Sequence, residues 1–283
     1  MKILLTGGTG LVGSAVLDAL VAHGHQVTAI VRSQSSSLKV SDRGATGIIG
    51  DLFDAPWLAS ELRVHDGAIH TAAGGDERDP DLNDAVLTAA IDAFGGTDKP
   101  FVHTGGVWVY GSSPAISEDQ ELQPPALTAW RPAGEQRLLE SGIKASVVQP
   151  GIVYGHAAGI PAMLAHGAAE DGTLTLFGSG DQHWTTVHVD DLADLYVRVL
   201  DRAPGGKAYI AAAGDNPTVR ELGEAVTTSV EPESDEATVA RLGAFGEALL
   251  LDQQATGERA KAELGWSPSR PALTELLAQG YPA

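Results

Sequence analysis

The chain has 283 residues, 43% of them hydrophobic, and its 18 basic against 37 acidic side chains give a formal charge of −19. That length supplies a large α/β core, and the acidic balance repels nucleic acid and anionic membranes, so neither is expected as a partner. With no cysteine, disulfides and thiolate chemistry are excluded; no run approaches the roughly 18 apolar residues of a membrane span. Met1 leads almost directly into the first expected strand without room for a signal peptide, and a cytoplasmic protein is expected.

Lys2–Leu5 is a short apolar segment of buried-strand type, and Leu11, Val12, Ala15, Val16, Ala19 and Leu20 then recur at helical spacing until Gly24. Between them runs Thr6-Gly7-Gly8-Thr9-Gly10-Leu11-Val12-Gly13. A strand that turns through glycines into a helix aims free backbone N–H groups, and the positive end of the helix, at an anion. Gly7 permits the tight turn, Gly10 lets the backbone approach a pyrophosphate, and Gly13 lets helix and strand pack closely. Strand, turn and helix agree, which makes a dinucleotide site the reading here rather than a purely structural turn.

Strands follow at Gln26–Arg32, Ala45–Gly50 and Ala68–Ala72. Helices at Asp81–Phe94 and Ala129–Ser141 precede strands Phe101–Gly105 and Ala145–Gly151. The alternation predicts a parallel sheet covered on both faces, with ligands beyond the carboxyl ends of the strands where their order reverses. From about Gly151 the pattern loosens. Short strands (Leu174–Phe177, Thr185–Val189, Lys207–Ala212) alternate with helices Asp191–Leu200, Val219–Thr228 and Ala272–Gln279, and Glu231–Glu236 reads as a surface loop before one further helix. The expected division is a cofactor-binding core over residues 1–155 and, over 156–283, mainly a smaller substrate-binding lobe packed on it as one unit.

The segments TGGTGLVG (6–13), GDLFD (50–54), HTAAG (70–74), FVHTGGVWVYG (101–111), VVQPGIVYG (147–155), VHVDDLADLY (187–196) and LGWSP (264–268) span essentially the whole chain. In their order and spacing the sequence resembles the extended and atypical short-chain dehydrogenase/reductase superfamily, the epimerase/dehydratase-like branch. The resemblance implies a Rossmann-type, doubly wound α/β fold with a small C-terminal α+β substrate lobe, and a nicotinamide cofactor. In such proteins an acidic side chain ending strand two accepts from the ribose 2′-OH of NAD, whereas a basic one neutralises the 2′-phosphate of NADP. Arg32 and Ser33 stand there, followed by Gln34-Ser35-Ser36-Ser37, with no carboxylate until Asp42. NADP is therefore the preferred cofactor and NAD the alternative, unless Arg32 is only a solvated strand-end charge. The resemblance also puts Asp51 and Leu52 at the adenine edge, Ala72, Ala73 and Thr104 along the cofactor's middle, and Pro150 to Val153 near the nicotinamide. Asp51 equally suits a turn or helix N-terminus, and Ala72 and Ala73 suit tight packing.

The usual catalyst of the superfamily is a tyrosine, a lysine four residues later, and an assisting serine or threonine. Anchored on Gly134–Leu139, the tyrosine position falls on Leu127 and the lysine position on Arg131; counted back from Tyr110-Gly111, the serine falls on Gly106. All three are replaced, and no Tyr-x-x-x-Lys occurs anywhere. Arg131 stays protonated and cannot be a general base; it holds the nicotinamide ribose or polarises a substrate oxygen, or else pairs with Glu135 one turn on. A proton donor must come from elsewhere. Tyr110, just past strand five, and His183, in the glycine-rich Gly178–Trp184 loop, are the candidates, against packing for the first and plain exposure for the second. Trp108, Tyr154 and Trp184 are candidate substrate-wall residues, each equally suited to a core. His70, His103 and His188 read as core or supporting residues, Asp190 and Asp191 as helix caps, and the scattered histidines form no metal site. The leading function is an NADP-dependent oxidoreductase acting on a small organic carbonyl or related unsaturated group. The alternatives are an NADP-sensing binding protein without catalysis and a sugar-nucleotide epimerase or dehydratase. Homodimers through a helix pair are common among such proteins, and a homodimer is the assembly the resemblance suggests.

Overall fold

A computed structural model describes residues 1–168 and 171–281. Its first half alternates as expected: β1 (Lys2–Thr6), α1 (Leu11–Ala22), β2 (Gln26–Val31), α2 (Gln34–Ser41), β3 (Thr46–Ile49), α3 (Ala55–Arg63), β4 (Gly67–His70), α4 (Asp79–Phe94) and β5 (Phe101–Thr104). Short 3-10 turns at Val107–Tyr110 and Ala126–Thr128 flank β6 (Ser113–Ile116), and α5 (Arg131–Glu140) leads into β7 (Ala145–Pro150). The remainder comprises β8 (Ile152–Tyr154), α6 (Pro161–Ala165), β9 (Leu174–Thr175), β10 (Thr186–His188), α7 (Val189–Arg202), β11 (Lys207–Ala211) and α8 (Val219–Val226). It closes with β12 (Val230–Glu231), α9 (Asp235–Leu242), α10 (Ala244–Leu249), β13 (Gln253–Ala255), α11 (Glu258–Leu264) and α12 (Leu273–Ala278).

Seven of these strands form one sheet in the order β11-β7-β5-β4-β1-β2-β3, every registered pair parallel. Alternate side chains of β1 explain why its sequence is continuously apolar. Ile3 and Leu5 enter a core with Val16, Leu20, Leu192 and Tyr196, while Leu4 enters another with Leu58, Leu62, Val86 and Phe94. Each such buried side chain stabilises the fold by about 1.5–3 kcal/mol. The strand order reverses between β1 and β4. A crevice therefore opens beyond the carboxyl ends of those two strands.

In the first half, helices α2 and α3 escaped the sequence pattern. Ser33 caps the serine-rich α2 by accepting from Ser36 N–H, and Asp54 caps α3 by accepting from Trp57 N–H. Two elements from beyond residue 155 join the core. β11 pairs with β7 as the seventh strand of the core sheet, and α7 sets Leu192, Leu195, Tyr196 and Val199 into the same core as α1. The chain thus leaves the core after β7 and returns to it. The lobe has its own apolar cluster, including Leu176, Phe177, Trp184, Leu222, Leu249 and Leu273. No helix among the described residues is long and apolar enough to cross a membrane.

Candidate cofactor cleft and active site

The bend after β1 is shaped by steric necessity at two of its glycines. Gly7 has φ +77°, and a Cβ on it would lie 2.7 Å from Ala72 N. A Cβ on Gly13 would fall 2.0 Å from Gly7 O, so helix and strand touch through bare backbone. Gly10 differs. Its conformation is extended, it is exposed, and a Cβ would meet nothing closer than Gly7 O at 3.5 Å, an ordinary contact. The protein itself does not require glycine there; an approaching ligand would. The first helical bond runs from Ser14 N–H to Gly10 O at 2.9 Å, and no side chain caps the helix, leaving the N–H groups of Leu11, Val12 and Gly13 at the open end. These features fit a dinucleotide diphosphate.

Beyond this bend lies a cleft of about 400 Å³. Gly7, Thr9, Gly10 and Arg32 line it, with Asp51 and Leu52 from the β3–α3 loop and Ala72 and Ala73 after β4. Phe53, Thr71, Ser36, Arg78 and Asp79 line it too, none of which sequence reasoning had singled out as ligands. Phe53 lay within a noted motif; Arg78 had no signal beyond following β4. Ser33 is engaged in capping α2, and its neighbour Ser36 faces the cleft instead. Thr104 is not on the cleft: its hydroxyl donates to His70 O at 2.7 Å and bonds Tyr196 Oη at 2.6 Å. Pro150 and Val153 are half-buried at β7 and β8, outside the lining of this cleft.

A second candidate region lies at β5 and α5. Arg131 opens α5, its Nη1 donating to Thr104 O at 3.3 Å and its guanidinium carbon lying 4.5 Å from the Trp130 ring centroid. Burial lowers its pKa from the ordinary guanidinium value, with Glu135, Asp79 and Tyr196 acting in the opposite sense. The expected i,i+4 pair with Glu135 is not formed. Glu135 Oε2 instead accepts from Gln149 Nε2 at 2.8 Å, and its Oε1 is buried without a partner among the described residues. That oxygen occupies the space a side chain on Gly105 would need, 2.6 Å from the Cβ position. Burial pushes the carboxyl up to about 7, against the Gln149 hydrogen bond and Arg131. At the missing tyrosine, Leu127 is 37% exposed; at the missing serine, a Cβ on Gly106 would meet nothing within 4 Å. Behind this region, burial lowers the pKa of His70 to about 4, and its Nδ1 lies 2.6 Å from Thr6 Oγ1.

Several candidate side chains face inward. Tyr110 is 2% exposed and its hydroxyl donates to Gln149 Oε1 at 2.6 Å, while burial raises its pKa. The expectation of Tyr110 as proton donor is corrected: it packs with Val107, Val109 and Ile116. Tyr154 donates to Pro271 O from the lobe core, and Trp184 donates Nε1–H to Leu249 O while stacking on Phe177. Both are packing residues, not substrate wall. Trp108 is half-buried, edge-on to Phe245. His183 keeps a chemical arrangement: it is partly exposed, and its Nδ1 lies 2.8 Å from Asp252 Oδ1, which also accepts from the His183 backbone N–H. With Nδ1–H directed at that carboxylate, Nε2 presents a free lone pair.

Comparison with known proteins agrees with this geometry. The chain is 29% identical to an uncharacterized protein of Schizosaccharomyces pombe over 99% of its own length and 100% of that protein's. It is 28% identical to a 2-alkyl-3-oxoalkanoate reductase of Stenotrophomonas maltophilia, covering 99% of this chain and 88% of the relative. A dTDP-glucose 4,6-dehydratase of Streptomyces venezuelae, solved with NAD, superimposes with a TM-score of 0.78 at 24% identity, over 99% of this chain and 96% of that one. The fold is shared. A family model matches residues 3–212, and the chain belongs to the NAD dependent epimerase/dehydratase family.

Proposed function

We propose that the protein is an NADP-dependent oxidoreductase that reduces or oxidises a small organic carbonyl or related unsaturated group. The observation that carries the reading is the rim of the cleft at β2. Arg32 lines it and no carboxylate ends that strand, so the 2′ position of a bound adenosine would face a cation and the Ser36 hydroxyl. A bound nicotinamide dinucleotide would supply the hydride. The glycine bend would hold its diphosphate on the N–H groups at the start of α1. Arg131, clamped between Thr104 O and the Trp130 ring, is a fixed positive charge able to stabilise an oxyanion as it develops, without itself exchanging a proton. His183, oriented by Asp252, is the side chain suited to proton transfer, since Leu127 offers none. The reductase named among the relatives is consistent with this chemistry.

Calorimetric titration of NADP and NAD into wild type and Arg32→Ala tests the cofactor half. NADP should bind the wild type about tenfold or more tighter than NAD, and the variant should lose that preference. Equal affinity in the wild type refutes it. Absorbance of reduced cofactor against aldehydes, ketones, enones and imines tests the reaction. Replacement at 106, 127 and 131 favours a second reading, a protein that binds NADP and reports its occupancy. Tight binding with no turnover on any of these substrates supports that reading instead. A sugar-nucleotide epimerase or dehydratase ranks below both, because it leans hardest on the tyrosine that Leu127 replaces.

A further inference from the structure

We infer that Arg78, its guanidinium set over the Phe53 ring, is a second cation for the adenosine 2′-phosphate and sets cofactor preference together with Arg32. The inference rests on the NADP reading and adds a wall of the cleft that the end of β2 does not supply. Arg78 stands immediately before α4, and its guanidinium carbon lies 4.1 Å from the centroid of the Phe53 ring. Both residues line the cleft that Arg32 and Ser36 line from the β2 side.

The electrostatic setting is unusual for this protein. Its formal charge is −19, so a surface arginine ordinarily finds a carboxylate. Arg43, Arg63, Arg137, Arg198, Arg241 and Arg259 each pair with one. Arg32 and Arg78 pair with none among the described residues, and the guanidinium of Arg78 makes no hydrogen bond there. The Phe53 ring holds the guanidinium by a cation–π contact. The N–H groups around its rim stay free, in the fork that matches phosphate oxygens. Three carboxylates, Asp51, Asp76 and Asp79, share the cleft, and each is partly committed to backbone. Asp76 accepts from Arg78 N–H at 2.9 Å, and Asp79 accepts from Gly74 N–H at 2.6 Å and Gly75 N–H at 3.0 Å. These bonds fix the loop that carries Arg78. Phe53 is fixed in turn, its N–H donating to Asp51 Oδ1 at 3.0 Å. Two arginines without a carboxylate partner, lining one cleft, are the arrangement a dianionic phosphate selects.

The test uses fragments as well as whole cofactors. Adenosine 2′,5′-bisphosphate, 5′-AMP, NADP and NAD are titrated by calorimetry into wild type, Arg32→Ala, Arg78→Ala and Phe53→Leu. Arg78 is exposed and should leave the melting temperature unchanged when replaced. Arg78→Ala should weaken the bisphosphate and NADP about tenfold or more, and 5′-AMP and NAD by less than about twofold. Phe53→Leu, which frees the guanidinium from its platform, should cost the 2′-phosphorylated ligands about threefold. Equal weakening of all four ligands would mean that Arg78 stacks on adenine, and overturns the inference. So does a preference for 2′-phosphate abolished by Arg32→Ala but untouched by Arg78→Ala, an outcome that leaves the NADP reading standing. A wild type indifferent to the 2′-phosphate overturns both.

Discussion

The β1–α1 bend and the β5–α5 edge belong to one sheet, yet the physical constraints on their residues differ. At the bend, Gly7 and Gly13 are fixed by contacts of 2.7 and 2.0 Å that any side chain would make with backbone. At the edge, Gly106 has open space around it and Leu127 is 37% exposed, so nothing in the packing dictates those residues. The bend has the shape that fits a dinucleotide, while the edge lacks the side chains expected to act on one. In a fold of this type, then, binding is written in backbone geometry and chemistry in replaceable side chains.

The largest expected effects break the bend in two separable ways. Gly13→Ala drives a methyl into Gly7 O and should destabilise the protein by more than about 3 kcal/mol, seen as a collapse of the thermal transition. Gly10→Ala meets only an ordinary 3.5 Å contact, so its melting curve should match wild type while affinity for either cofactor falls at least about tenfold. A Gly10→Ala protein that binds cofactor normally would show that the diphosphate does not lie on this turn.

That separation also explains how much could be read before any coordinates. The glycines, the strands β1 to β5 and β7, and the cation at Arg32 are local signals, because each is a demand of backbone or of strand-end position. Tyr110, Tyr154 and Trp184 were ambiguous because an aromatic at a strand end or in a loop has the same pattern whether it lines a pocket or fills a core. The informative pairs are distant in sequence. His183 meets Asp252 across 69 positions, and Arg78 meets Phe53 from a different loop. The membership of β11 in the main sheet was equally hidden, since a short strand gives no hint of its neighbour.

On the chemical side, Arg131→Met should lower turnover about 10²–10³-fold on whichever carbonyl substrate is accepted, while changing cofactor affinity by less than about threefold. The guanidinium touches Thr104 O and the Trp130 ring and does not line the adenine-side cleft. A parallel loss of cofactor affinity would instead assign Arg131 to the nicotinamide ribose. Restoring a hydroxyl at the vacant serine position is a milder probe. Gly106→Ser should fold like wild type, as its melting temperature will show, because the added atoms meet nothing.

A further effect concerns the carboxyl beneath this edge. Glu135 titrates near 7 when folded against an ordinary value of 4.5, so the native state binds its proton more tightly than the unfolded chain. Stability from this group is therefore fully present below about pH 4.5, falls as pH rises through about 7, and is constant above. Glu135→Gln mimics the protonated form at every pH and can still accept from Gln149. Urea denaturation at pH 5 and pH 8 should find the variant gaining on wild type with rising pH, by up to about 3 kcal/mol. His70 acts in the other direction: its folded value of about 4 lies below the ordinary 6.5, so stability is lost as pH falls through that window. That loss is common to wild type and variant and cancels in their difference. A difference that does not change with pH would mean that Glu135 stays ionised, held by Arg131 more strongly than its burial opposes.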